Sequence, residues 1–538
     1  MQLPASAVPR WQRHFTFIII FLLTSGFLTQ ISGQTPVTQS RLANPDSALL
    51  SILSELEGTR LKLPEAIQHG LANASSVREA EADYLAARGV VRREKGFFDP
   101  ELFFDLDYVD DQSPTASFFS GAPVLNTQQT TSSTGLRMDL PIGTELEASL
   151  NTIRLKTNSA FAFLNPQYNA FGNISFRQPL LNGFRSSARK ELTSAEQDLQ
   201  AAKARYDQEA LSASAEVERR YWELYAAERD YAVQKLTRDR GDAFLRETEL
   251  RAKSGLIGPS QVANARTFLA QQELLLLDRE EDLDQLSDEL AAYIGVRPPV
   301  GSLRYLTIDS PPETFPLQPV EELINYAFEK NLDLQASKAD ADAIRTLASA
   351  AKWEALPSVD VMGSLGGNGL SGTGQDVIFG GDTLRATAMG DLGDAVSQAV
   401  SRDFPAWSIG VEVSIPIGLR SGLGERDRLA AEVIRFEQIY IDQARKLEEQ
   451  IRTSYRQLYN GKRRLEIARE GVDAAQEQVR IGVIEFYNGR STAFELVRLG
   501  EDFAIAQQRY SQALVRTATA AATLRQLTSG GYPSAETN

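Results

Sequence analysis

The chain has 538 residues, a formal net charge of −15, no cysteine and only two histidines, His14 and His69. These totals exclude disulfides, Cys-based zinc sites, a thiol nucleophile and a lipidated N-terminal cysteine, and they argue against histidine-based catalysis or metal binding. A content of 42% hydrophobic and 24% charged residues fits a folded protein, and the acidic balance argues against nucleic acid as a partner.

In chain order, the N-terminus reads as an export signal. Arg10 and Arg13 precede the apolar run Phe15–Leu28, and the small residues Ser32 and Gly33 suggest cleavage near Gln34. The run is short for a membrane-spanning helix, and no later stretch reaches 18 consecutive apolar residues. If the exported chain sits in a membrane, it must do so as a β-barrel, because only helices and closed barrels satisfy their backbone there. Residues 34–60 are expected to be a tail.

The rest of the chain repeats itself. Ile67 and Ile324, Val77 and Leu334, Lys95 and Lys352, and Pro100 and Pro357 are each 257 residues apart. Each copy opens on a helical pattern, expected over 64–97 and 320–353, that ends at a proline. Alternating residues follow. Phe104, Leu106 and Tyr108 oppose Asp105 and Asp107, and Val359, Val361 and Leu365 share a face. Polar loops are expected near 109–132 and 366–404. A second alternating run follows in each copy, through Phe171, Ile174 and Phe176 to Pro179, and through Ile409, Val411, Val413 and Ile415 to Pro416. The strand regions therefore cover about 102–178 and 358–415. Copy one is longer by 20 residues and carries an additional hairpin pattern at 135–151, around Pro141–Thr144. Whether that hairpin lengthens existing strands or adds new ones is open at this stage.

Long helices follow, predicted from about 184 to 253 and from about 425 to 487. Helices of roughly 65 residues span on the order of 100 Å. Ala444, Leu447, Ile451, Tyr455, Leu458, Leu465, Val472, Ala475 and Val479 recur at heptad spacing, and Tyr206, Ala210, Ala213, Val217, Tyr221 and Leu224 do the same in copy one. Ser186 or Ser187 is the expected cap of the first long helix. Turns at 253–262 and 486–496 lead to second helices, about 259–294 and 491–527. A proline-rich connector at 296–318 separates the first repeat, 61–295, from the second, 319–528, and 529–538 is a C-terminal tail.

Motifs of catalysis are missing. The sequence contains no P-loop, no G-x-S-x-G and no H-E-x-x-H. "GNGLSG" (Gly367–Gly372) matches G-x-G-x-x-G but does not open a helix, so it reads as a flexible loop. Asp105, Asp107, Asp110 and Asp111 lack the glycine and distal glutamate of an EF-hand and read as solvated carboxylates. The expectation is no enzyme, no cofactor and no bound metal.

About four two-faced strands per chain are too few to close a membrane barrel, since roughly eight are needed. Oligomerisation would close the sheet and give the helix seams their partners. The duplicated order of elements, with "LPEAIQHGL", "FRQPLLNGFRSS", "SGLIGPSQVANAR" and "GRSTAFELV", resembles the TolC family of outer-membrane efflux proteins over nearly all of residues 60–528. The resemblance implies an α+β membrane protein. As a homotrimer it would form an outer-membrane β-barrel, four strands per protomer, continued by a long α-helical coiled-coil barrel in the periplasm of a Gram-negative-type bacterium. It implies a passive export channel for small molecules or secreted substrates. The partners implied are outer-membrane lipid, a periplasmic adaptor and an inner-membrane efflux or ABC transporter.

Carried over by position, Ser254, Gly255, Leu256 and Gly489 become candidate adaptor-contact turns. Glu495, Arg498 and Arg490 become candidates for the periplasmic aperture. Arg498 stands where some members have a second aspartate, which implies weaker cation selection. Pro179, Gly183, Pro416 and Gly418 become the joints between strand and helix. Two alternatives compete: an exported coiled-coil scaffold with a small β-domain and no channel activity, and a periplasmic adaptor. The two helical hairpins, and the lack of a biotin-lipoyl-like flank, count against the adaptor.

Overall fold

The computed structural model describes residues 45–117, 120–379, 381–488 and 490–533. The export signal expected at 1–33 and Gly489 lie outside the described residues. The expected N-terminal tail contains a helix, α1 (Pro45–Glu55), and a short strand, β1 (Thr59–Leu61). The first repeat follows as α2 (Leu63–Asn73), α3 (Ser75–Gly96), β2 (Glu101–Pro114), β3 (Val124–Asp139), β4 (Glu145–Thr157), β5 (Leu164–Pro179), α4 (Lys190–Lys253) and α5 (Pro259–Ile294). The connector holds β6 (Tyr305–Thr307), which pairs in parallel with β1. The second repeat is α6 (Val320–Lys330), α7 (Leu332–Glu354), β7 (Ser358–Gly374), β8 (Val377–Phe379), β9 (Asp382–Leu384), α8 (Leu392–Ser401), β10 (Phe404–Ser414), α9 (Arg420–Tyr487) and α10 (Ala493–Leu527).

Several expectations change. The single opening helix of each copy is two helices, broken at the repeat-equivalent positions Ala74 and Asn331, where ψ turns to 127°. Asn331 caps α7, its side chain accepting from Leu334 N at 3.0 Å, and its amide also donates to the Leu527 carbonyl at the end of α10. The long helix α4 starts at Lys190, later than expected, because the chain first turns through Gly183 and Arg185, both at positive φ. Its cap position is Arg189, which makes no side-chain cap bond; Ser187 is buried and its hydroxyl lies 3.5 Å from the Ala350 carbonyl. Helix α9 starts earlier, at Arg420, so that Gly422 lies inside it; a Cβ there would meet Ala355 Cα at 2.7 Å, which explains why the closely packed position is glycine.

The largest change is in the sheet. It has six antiparallel strands, in the order β10-β7-β5-β4-β3-β2, where four were expected. The additional hairpin is a full part of it: β3 pairs with β2 along its length, and β4 pairs with both β3 and β5. The regions expected to loop shorten, because β2 runs on to Pro114 and β7 to Gly374. One row across the sheet reads Leu102, Leu136, Ala148, Ile174, Leu365 and Trp407, and the next row on the same face adds Met138, Leu146, Phe176, Gly363 and Ile409. The opposite face carries Asp105, Ser133, Asn151, Phe171, Asn368 and Phe404 in one row. Phe171 therefore does not share a face with Ile174 and Phe176. Side chains alternate with period two, so residues an odd number apart point to opposite sides.

"GNGLSG" is strand, and its glycines seat α8. A Cβ on Gly369 would fall 1.9 Å from the Ala395 carbonyl oxygen, and one on Gly367 would fall 2.3 Å from that of Ala399. Ala395 and Ala399 pack on Ala170 of β5. The helix is fixed at its start by a reciprocal capping box, Asp391 bonded to Asp394 N and Asp394 to Asp391 N.

Below the sheet, α4 (64 residues) pairs with α5, and α9 (68 residues) pairs with α10; α7 packs against both long helices, and α10 packs against α4. Two cores sit midway along this bundle. One gathers Leu61, Ala66, Val217, Tyr221, Trp222, Leu224, Leu290 and Ile294. Its repeat counterpart gathers Leu323, Ile324, Leu334, Leu447, Ile451, Leu458, Leu524 and Tyr532. Tyr532, in the expected C-terminal tail, is buried and donates its hydroxyl to the Pro316 carbonyl at 2.7 Å, so the tail is tied to the connector. The heptad positions Leu447, Ile451, Leu458, Leu465, Val472, Ala475 and Val479 are all buried.

Candidate functional site

The candidate functional surfaces lie at three levels: where strands become helices, at the base of the sheet, and at the far tip of the helices. At the first joint, Pro179 is the last residue of β5, where a residue without an N–H can end a ladder. Gly183 has φ +90°. At the second joint Gly418 has φ +92° and Leu419 φ +51°, so both joints turn through left-handed backbone. The two joints differ in what covers them. The turn of the additional hairpin docks on the first: a Cβ on Gly143 would lie 2.2 Å from the Gly183 carbonyl oxygen, Arg185 N donates to the Ile142 carbonyl at 3.3 Å, and Thr144 bonds Gln178.

The polar face of the sheet is charged at its base. Arg137 pairs with Glu101 at 2.8 Å, and Arg177 pairs with the buried carboxylate of Asp360 at 2.6 Å. A cleft of about 900 Å³ opens there, lined among others by Glu101, Arg137, Glu145, Glu147 and Arg177. None of these residues stood out in the sequence, since pairing across four strands brings them together.

At the tip, Ser254 caps the end of α4, and Gly255, at φ +73°, donates its N–H to the Ala252 carbonyl while Leu256 N donates to that of Arg251. These are the backbone bonds that a glycine after a helix makes possible. Leu256 projects outward, largely exposed. Helix α5 restarts with Pro259 in its first turn. In the second hairpin, the Thr492 hydroxyl caps α10 by accepting from Glu495 N at 3.2 Å. Glu495 and Arg498 form an ion pair at 2.6 Å, one turn apart on the same helix. Arg490 is exposed, and its N–H donates to the Glu485 carbonyl. The structure therefore brings Glu495 and Arg498 together within one protomer, with Arg490 preceding the helix.

Sequence reasoning missed Arg240. This α4 residue is buried, and its guanidinium donates to the Gly500 carbonyl of α10 at 3.2 Å while one terminal nitrogen has no partner. Burial alone pulls its pKa down to about 10, so it stays charged at neutral pH. Gly500 must be glycine for this contact, because a Cβ would lie 2.5 Å from the guanidinium. A cavity of about 530 Å³ lies nearer the tip, between the two hairpins, with Phe244, Ile257, Phe268 and Phe494 among its lining. The only trace of Arg240 in the sequence is the adjacent Gly241, which admits Phe268. At mid-height, Glu228 is buried and accepts from Thr307 N at 2.6 Å and from its hydroxyl at 3.1 Å, tying the connector to α4. Burial raises its carboxyl to about 7 against the opposing pull of these hydrogen bonds.

Among the described residues no cluster of acids and histidines is arranged to hold a metal, and no helix is long and apolar enough to cross a membrane. Curated protein sequences yield no match to the chain. Solved structures do. The VceC outer membrane protein of Vibrio cholerae superposes with a TM-score of 0.59 at 16% identity, covering 88% of this chain and 97% of that one. The CmeC outer membrane channel of Campylobacter jejuni gives 0.59 at 13% identity, covering 88% and 87%. The MtrE outer membrane channel of Neisseria gonorrhoeae, in its open state, gives 0.58 at 15% identity, covering 87% and 89%. At such identities these likenesses establish the fold. The family model described as "Outer membrane efflux protein" matches residues 66–296 and 323–530, both halves of the duplication. The chain belongs to the outer membrane efflux protein family: it is a non-enzymatic efflux protein of the outer membrane.

Proposed function

We propose that this protein is a passive homotrimeric export duct that docks through its helical tips onto a periplasmic adaptor, and through it onto an inner-membrane transporter, to expel small molecules or secreted substrates. The observation that carries the reading is the continuity of two surfaces in one chain. A sheet with one apolar and one polar face passes, through the Gly183 and Gly418 turns, into paired helices of 64 and 68 residues. At 1.5 Å per residue these reach about 100 Å, so a lipid-embedded sheet would be extended by a tunnel across much of the periplasm. A single protomer leaves both sheet edges unpaired and closes nothing, which supports assembly.

In this reading Ser254, Gly255 and Leu256, with Gly489 of the second hairpin, form the adaptor-facing tips. Glu495, Arg498 and Arg490 line the aperture, and Pro179, Gly183, Pro416 and Gly418 mark the membrane boundary. Residues 1–33 would be the cleaved export signal. The test is purification in detergent and insertion into planar bilayers. A trimer that conducts is expected; a water-soluble monomer without conductance would refute the proposal. For docking, Leu256→Asp is expected to abolish co-purification with the cognate adaptor while leaving the trimer intact.

A further inference from the structure

We infer that the wall in the membrane is an eighteen-stranded barrel, closed when β10 of each copy pairs with β2 of the next. The inference rests on the trimeric reading above. Its starting observation is the hairpin β3–β4, inserted between β2 and β5 so that each protomer brings six strands to one continuous sheet.

The hairpin belongs to the wall by three independent criteria. It is long enough: β3 has 16 residues and β4 has 13, and all six strands have at least 11. A tilted strand needs roughly 9–11 residues to cross the hydrocarbon layer. It is hydrogen-bonded on both sides without a break in register, from Thr127↔Thr157 to Asp139↔Glu145 within the hairpin and from Glu145↔Arg177 to Leu155↔Gln167 toward β5. It also carries the same two-faced pattern as its neighbours. In the half nearest the β3–β4 turn, Leu136, Met138, Leu146, Ala148 and Leu150 fall on the apolar face and Ser149 and Asn151 on the polar one, while farther along the strands the first face turns polar, with Thr130, Ser132, Thr152 and Arg154. A flap lying over a barrel would not need an apolar band that lines up, row for row, with those of its neighbours.

The two free edges match each other. Strand β10 is exposed along its length, and Trp407 and Leu102 are 73% and 79% exposed. Such long apolar edges are aggregation sites unless paired. Six is an even number, so β2 and β10 run in opposite directions and meet antiparallel around a ring. Their patterns agree, with Leu102, Phe104 and Leu106 against Trp407, Ile409 and Val411 on the lipid side. The occupant of each edge is thus a second copy of this chain. Three copies of six strands give eighteen. With strands about 4.8 Å apart and tilted about 40°, the wall would be about 36 Å across, against about 24 Å for twelve strands. The outer-membrane section would then be wider than a four-stranded protomer allows, and any narrowing would fall elsewhere on the path.

The absence of cysteine makes the test clean. In the detergent-purified full-length protein, the pair Ala148→Cys and Ile174→Cys, directly opposite on β4 and β5, should form a disulfide within each chain. Cysteines placed in turn at Leu102, Phe104 or Leu106 and at Trp407, Ile409 or Val411 should, in at least one combination, link copies into a covalent trimer. Single-particle imaging should count eighteen strands. A trimer whose wall counts twelve, or in which Leu102→Cys joins Ile174→Cys, overturns the wide barrel and leaves the export reading standing. A monomer under all conditions overturns both.

Discussion

Buried polar side chains at single positions hold this structure at mid-height. Tyr221 is fully buried, and its hydroxyl joins Leu61, Ile308 and Asp309. Trp222 beside it is also fully buried, packed edge-on against Tyr221 and Tyr225. Trp222→Ala is expected to destabilise the helical part by about 3–5 kcal/mol, read as a shift in chemical denaturation. Glu228 predicts a pH dependence. Its carboxyl is raised from 4.5 to about 7 in the fold, so the folded state holds a proton that the unfolded state has released. Its contribution is fully present below pH 4.5 and is lost as pH rises through about 7, a change on the order of 3 kcal/mol. Glu228→Gln should flatten that part of the stability profile; an unchanged slope between pH 5 and 7.5 would show that Glu228 is not its source. Neither role was legible in the sequence, where Glu228 is one of many helical acids and only the return of Thr307 on a distant strand buries it.

Secondary elements are where small residues explain themselves. The strand β7 carries five glycines within nine residues, Gly366 to Gly374, a composition that reads as loop. Its strand character survives because α8 lies directly on it and needs bare backbone beneath Ala395 and Ala399. Gly369→Val should therefore expel α8 while β7 keeps its pairing. The measurable outcome is faster trypsin cleavage at Arg402, the residue that ends α8 at φ +58°; cleavage at the parental rate would mean that the helix tolerates the added volume. The long helices were legible for the opposite reason. A heptad seam is a local property, and Leu447, Ile451, Leu458, Leu465, Val472, Ala475 and Val479 are buried along it as the spacing required. Their starts were not legible, because Arg185 and Leu419 adopt positive φ under tertiary constraint, where composition predicts nothing.

For the whole molecule, the proposed duct would line its aperture with charges from each protomer. Glu495 and Arg498 neutralise each other within a protomer, so an aperture built from them would carry little net field. Arg498→Ala should release the carboxylate and raise cation over anion permeability several-fold, measured as a reversal potential across a salt gradient. An unchanged reversal potential would place Glu495 away from the narrowest point of the path.

Sequence alone determined the duplication, the two-faced strands, the heptad helices, the lack of catalytic motifs and the family resemblance. All are periodic or local, and a period of two or of three and a half is written directly in the order of residues. Tertiary structure decided the number of strands, the seat of α8 under the glycines, the burial of Glu228 and Arg240, and the pairing of Arg177 with Asp360. Each depends on residues tens to hundreds of positions apart, whose contact is set by sheet register and helix packing. The hairpin at 135–151 stands between the two classes. Its alternation was visible, but only the hydrogen bonds of β4 to β5 show that it belongs to the same sheet.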